Sequence, residues 1–165
     1  DHILMTLKRV GGREKKPLDF INDFYDGLPR RLRTNQFTNQ TVRQLEDSLD
    51  DDFYQVNYRV CHGDLNHHNF ILAEDDHLYM VDWESVCIAD PISDISKLLV
   101  STFPPHLWTH WLTQYGIDMT GSFYKRMKWY SQVQCLNFIK QFYQEDRLYQ
   151  ANQMILLLKS ISQDI

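Results

Sequence analysis

Apolar residues recur at helical spacing along most of this chain and at strand spacing only near its middle. Residues 2–9 read as a helix that Gly11-Gly12 ends. Pro17 stands where a first-turn proline belongs, and Leu18, Phe20, Ile21, Phe24 and Tyr25 supply an apolar face before Gly27 and Pro29 stop it. A further helix is expected through Val42, Leu45 and Leu49, capped by Asn39 or Thr41. It should stop at Asp50-Asp51-Asp52, because the helix dipole disfavours anions at a C-terminus. Three short runs then read as strands: Arg59-Val60-Cys61, Asn69-Phe70-Ile71-Leu72 and Leu78-Tyr79-Met80-Val81. The last two flank the turn-like Ala73-Glu74-Asp75-Asp76-His77 and predict a small β-hairpin.

Helical spacing returns after Pro91, over about 92–101 and again over 105–115 behind Pro104-Pro105, with breaks at Gly116 and Gly121. Phe123, Met127, Tyr130, Val133, Leu136, Ile139 and Tyr143, then Leu148, Ala151, Ile155, Leu158 and Ile161, predict two long helices parted near Glu145-Asp146. Such stripes are core packing. The fold class expected is mainly α (α+β), a helical body carrying one small sheet.

Length and composition narrow this picture. The 165 residues suit one domain or one lobe of a larger protein, and 43% hydrophobic with 24% charged residues excludes disorder. No apolar run approaches the roughly 20 residues of a membrane span, and no basic footprint marks a nucleic-acid partner. Cys61, Cys87 and Cys135 form neither a disulfide framework nor a zinc pair, which fits a reducing, cytoplasmic location. Residues Asp1 to Val10 form no signal peptide, and a start without Met suggests a piece of something longer.

Charge changes the picture more. The net charge is −5, yet residues 35–96 hold thirteen carboxylates against only Arg43 and Arg59. Within that acidic block lies His62-Gly63-Asp64-Leu65-Asn66-His67-His68-Asn69, of the form HxDxxxxN, with Asp82 following in Met80-Val81-Asp82-Trp83. A hairpin turn centred between Asp75 and Asp76 would set Asn69 opposite Asp82, beside the loop that holds Asp64. Three oxygen-bearing side chains at one point suit a hard cation such as Mg²⁺. Phosphoryl transfer needs that cation and a carboxylate to orient the attacking hydroxyl and take its proton, and Asp64 is the candidate.

HxDxxxxN followed by a strand-borne Asp resembles the catalytic-loop and metal-Asp pair of the protein-kinase-like fold. The Gly63 variant and Asp90-Pro91-Ile92-Ser93-Asp94-Ile95 resemble the aminoglycoside phosphotransferase/choline kinase superfamily. Its bacterial YtmP/CcrZ-like branch is the most similar, through His62-Gly63-Asp64-x-Asn66-His67-x-Asn69, Val81-Asp82-Trp83-Glu84 and Ile88-Ala89-Asp90-Pro91. The likeness continues in Trp111-Leu112-x-x-Tyr115-Gly116-Ile117 and Arg126-Met127-x-Trp129-Tyr130. The resemblance implies Asp64 as catalytic base, Asn69 and Asp82 as Mg²⁺ ligands, and Ile71 and Val81 as the apolar floor under the adenine of ATP. It makes His62 structural and Asp94 a helix-borne group that bonds the catalytic-loop backbone. Asn66, His67, Trp83 and Glu84 border the place of an acceptor and are assigned to substrate binding.

A complete member also has an N-terminal lobe with a phosphate-covering loop. No GxGxxG or GxxxxGK[ST] occurs here. The chain is therefore expected to be one domain, residues 1–165, the C-terminal lobe of a kinase without its nucleotide lobe. As such it should be a poor catalyst by itself. The function expected of the whole is an ATP- and Mg²⁺-dependent kinase acting on a hydroxyl of a small molecule such as the sugar ribose, with a link to cell-cycle control. Weighed against it are a non-catalytic kinase-fold scaffold and a metal-dependent hydrolase. A zinc site at His62, His67, His68 and His77, or at His106 and His110, is disfavoured.

Overall fold

A computed structural model describes residues 14–163; the helix predicted over residues 2–9 lies outside them. Helix α1, Pro17–Tyr25, starts on its proline, and the Asp19 carboxylate accepts the Lys16 N–H at 2.8 Å. Phe20, Ile21 and Phe24 face the core as their spacing requires. A single turn, α2 (Arg30–Arg33), leads to α3, Gln36–Asp47. The cap of α3 is Asn35, whose Oδ1 accepts the Thr38 N–H at 2.9 Å, and not Asn39 or Thr41. Thr38 and Thr41 are buried on the helix's inner face, so a stretch that looks polar in sequence already belongs to the helix. The helix ends before the aspartates, and Asp51–Phe53 forms a separate 3₁₀ turn.

Among the described residues four short strands make two sheets rather than one. Strand β1, Arg59–Cys61, pairs antiparallel with β4, Cys87–Ala89, setting Cys61 opposite Cys87. Strand β2, Phe70–Leu72, pairs with β3, Leu78–Met80, setting Phe70 opposite Met80. The hairpin exists as predicted, with its register one residue away from the predicted one. Leu72 faces Leu78 across the five residues Ala73 to His77, a loop centred on Asp75 itself, with Asp76 in the left-handed region (φ 62°). Asn69 therefore lies opposite Val81, whose N–H donates to the Asn69 carbonyl at 2.9 Å, and Asp82 falls one residue beyond.

Helix α4, Ile92–Thr102, follows β4 directly; the short α5, Trp108–Gln114, leads to the long pair α6, Gly121–Gln144, and α7, Leu148–Gln163. Gly121 begins α6 rather than breaking a helix. Helix α6 is the centre of the body, lying along α4, α7 and α1. Its Met127, Trp129, Tyr130, Val133, Leu136 and Ile139 are buried with Phe20, Phe24, Leu99 and Leu158. Polar ties add to this packing. The Trp129 indole N–H donates to the Leu45 carbonyl at 2.9 Å, and the Gln134 amide donates to Ser93 O at 3.3 Å. Arg126 Nε donates to buried Asp90 at 2.8 Å. No helix among the described residues is long and apolar enough to cross a membrane.

Candidate active site

Every residue singled out between 62 and 84 lies on the stretch between β1 and β4. The loop leaving β1 turns at Gly63 with φ +84°, and a Cβ there would stand 2.0 Å from the Ser85 carbonyl oxygen. Only glycine fits that approach. Asp94, in the first turn of α4, accepts the His62 N–H (2.6 Å) and the Gly63 N–H (3.0 Å) with its two carboxylate oxygens. Burial pushes the Asp94 carboxyl above its usual range, outweighing those two bonds. The buried His62 ring accepts the Asp64 N–H at Nδ1 (3.2 Å), which places its proton on Nε2, the donor to Val81 O at 2.7 Å. One imidazole thus couples the backbone of residue 64 to that of residue 81, the neighbour of Asp82.

Asp64 and Asn69 form one bonded unit. The Asn69 Nδ2 donates to the Asp64 carbonyl (2.8 Å) and to Asp64 Oδ2 (3.3 Å), leaving the amide oxygen as a donor atom for a cation. The Asn66 Nδ2 donates to Asp64 O (3.2 Å) and Oδ1 (3.3 Å), while its Oδ1 accepts the His68 N–H (2.9 Å). Both ends of the Asn66 amide are thereby engaged in shaping the loop. Asp82 is exposed and sits in the left-handed region (φ 61°, ψ 63°), capping the turn Trp83–Ser85. The Trp83 ring lies 4.7 Å from that of His62, and its N–H donates to Met80 O at 2.9 Å. Glu84 and His67 are exposed, His67 stacking on His68 at 3.9 Å. Ile71 is exposed on the hairpin and Val81 half-buried.

Lys97 was not anticipated. From α4 it places Nζ 2.6 Å from Asp64 Oδ1. Burial pushes the Asp64 carboxyl up, but the Lys97 ammonium and the amides of Asn69 and Asn66 outweigh it and hold it below the usual range. A sequence signal existed: Lys97 is the sole Lys or Arg in residues 60–124, and it follows Asp94 by one helical turn. Among the described residues no three His, Cys, Asp or Glu side chains cluster as a metal site. Cys61, Cys87 and Cys135 are free thiols.

A lone imidazole, an amide-braced carboxylate and a second carboxylate past a hairpin can orient a hydroxyl and bind a phosphate-bound cation. A family model described as the phosphotransferase enzyme family matches residues 7–130. The chain belongs to that family. This chain is similar to the choline kinase LicA from Streptococcus pneumoniae, at 23% identity and TM-score 0.66, covering 89% of this chain and 56% of LicA. A thermostable mutant of aminoglycoside phosphotransferase APH(4)-Ia matches with 16% identity and TM-score 0.62, covering 87% and 50%. A choline/ethanolamine kinase family protein from Mesorhizobium loti matches with 17% identity and TM-score 0.59, covering 90% and 53%. LicA has also been solved in complex with AMP. At these identities the likeness establishes the fold, a helical kinase-like lobe. The chain spans about half the length of the solved structures it matches.

Proposed function

We propose that the whole protein is an ATP- and Mg²⁺-dependent kinase that phosphorylates a hydroxyl of a small molecule, and that this chain is its C-terminal lobe. The observation that carries the reading is the Asp64–Asn69 unit, tied through His62 to Val81, the residue beside Asp82. In this reading Asp64 accepts a hydrogen bond from the acceptor hydroxyl and aligns its oxygen with the γ-phosphorus. The new O–P bond forms as the bond to the leaving ADP oxygen breaks, and the hydroxyl proton passes to Asp64 and then to solvent.

The Asn69 amide oxygen and the Asp82 carboxylate are hard oxygen donors and fit Mg²⁺ brought in by nucleotide phosphates, whose charge it would offset. Ile71, 51% exposed, and half-buried Val81 offer apolar surface for an adenine, in keeping with the AMP complex of LicA. Leu72, Leu78, Tyr79 and Met80 extend this exposed surface, which suits cover by a nucleotide lobe outside this chain. His67, Trp83, Glu84 and Asn66 edge the acceptor's place. The YtmP/CcrZ-like motifs favour a ribose-type sugar and a link to cell-cycle control.

The test uses the whole protein with MgATP and ribose, choline, thiamine or kanamycin, measuring ADP release. Asp64→Ala and Asp82→Ala should each abolish acceptor-dependent turnover with little change in Tm. Full activity in both variants would overturn the reading.

A further inference from the structure

Asp64 offers four lone-pair positions on its carboxylate, and the surrounding donors are distributed unevenly among them. Oδ1 receives the Lys97 ammonium at 2.6 Å and the Asn66 amide at 3.3 Å, which fills it. Among the described residues Oδ2 receives only the Asn69 amide, at 3.3 Å. One position on Oδ2 remains for an incoming hydroxyl. The two amide bonds lie at the long end of the hydrogen-bond range, so the short, charge-assisted Lys97 bond is what fixes the carboxylate's rotation.

Lys97 is itself held. Its side chain is only 20% exposed, against 35% for Asp64, and its ammonium lies 5.6 Å from the centre of the Phe138 ring on α6. It also stands one turn along α4 from Asp94, which grips the backbone of the same loop through His62 and Gly63. One face of one helix therefore sets both the path of the loop and the orientation of its carboxylate. A half-buried ion pair of this kind is weak evidence for stability, since desolvation offsets much of its attraction. Its geometric effect on Asp64 is direct.

We propose that Lys97 is a positioning residue for phosphoryl transfer, holding Asp64 so that Oδ1 is saturated and Oδ2 faces the acceptor hydroxyl. This rests on the reading of Asp64 given above. The role predicts a loss in kcat rather than in binding, because an unfixed carboxylate misaligns the hydroxyl only as the reaction proceeds.

The experiment compares whole wild-type protein, Lys97→Met and Lys97→Arg in MgATP turnover, using whichever of ribose, choline, thiamine or kanamycin wild type phosphorylates fastest. Lys97→Met should lower kcat by roughly 10- to 100-fold, leave acceptor KM within about threefold and hold Tm near the wild-type value. Lys97→Arg, which keeps the charge, should recover about tenfold of a full loss. An unchanged kcat in Lys97→Met, or a raised KM at constant kcat, would overturn the positioning role while leaving the kinase reading intact. A fall in kcat that arginine does not relieve would also overturn it. Absence of wild-type turnover on all four acceptors overturns the kinase reading and this role with it.

Discussion

Replacing Gly63 with alanine tests how tightly the turn after β1 is built. The added Cβ would lie 2.0 Å from Ser85 O and 2.7 Å from its carbonyl carbon, both backbone atoms, where ordinary contact begins at 3.4 Å. Loop and turn must part by more than 1 Å, and the φ of +84° adds its own cost of about 1–2 kcal/mol for an L-residue. Parting them also stretches the His62 and Gly63 N–H bonds to Asp94, worth about 1.5–3 kcal/mol each when the acceptor is charged. With partial relaxation the net loss is about 2–4 kcal/mol, or roughly 5–15 °C in Tm for a domain of this size. Ser85 closes the turn that Asp82 caps, so the same movement shifts Asp82 against Asp64. A displacement near 1 Å costs roughly 100-fold in turnover. Thermal melting and MgATP turnover of the whole protein measure both effects. Gly121→Ala is the control, having nothing within 4 Å. A Gly63→Ala protein with wild-type Tm and kcat would refute the reasoning.

Three further outcomes follow from the same geometry. Asp94→Asn keeps one acceptor oxygen for two N–H donors and should cost about 1–3 kcal/mol by chemical denaturation. Because burial raises the folded-state pKa of Asp94, the wild-type carboxylate penalises folding at neutral pH and less so once protonated; the stability gap to Asp94→Asn should widen as pH falls from 7 through the carboxylate range. Arg126→Met strands the Asp90 carboxylate, 1% exposed, and should cost about 3–5 kcal/mol in the same assay. Burial pushes the Cys61 thiol up to about 12 and raises Cys87 and Cys135 as well, so iodoacetamide at neutral pH should label the folded protein far more slowly than the unfolded one, read by mass.

What could be read from the sequence was whatever local spacing encodes. The stripes from Phe123 to Tyr143 and from Leu148 to Ile161 became α6 and α7, and the segment from His62 to Asn69 became the loop that gathers the site. Strand β4 was missed because Cys87-Ile88-Ala89 is three residues long and gains its structure by pairing with β1 across the whole intervening loop and hairpin. The hairpin register failed on one detail, a loop with an odd number of residues centred on Asp75, which composition does not distinguish from an even one. Asn35 was overlooked as a cap because the buried faces of Thr38 and Thr41 look polar on paper. Lys97 acts across a helix–loop contact; its isolation among residues 60–124 and its spacing from Asp94 mark it out but do not name its partner on the loop.

The pairing of Cys61 with Cys87 gives residues 62–86 a shape of their own: an excursion that leaves the body and returns at one narrow neck. The loop after β1, the hairpin and Asp82 all lie inside that excursion, and the β1–β4 pairing, the two Asp94 bonds and the Lys97–Asp64 ion pair close its base. Interactions at the base are shared by everything beyond it, so these residues gain and lose amide-exchange protection together, as one cooperative unit. Inactivating such a site takes a single opening at the neck, with no need to displace each of its residues in turn.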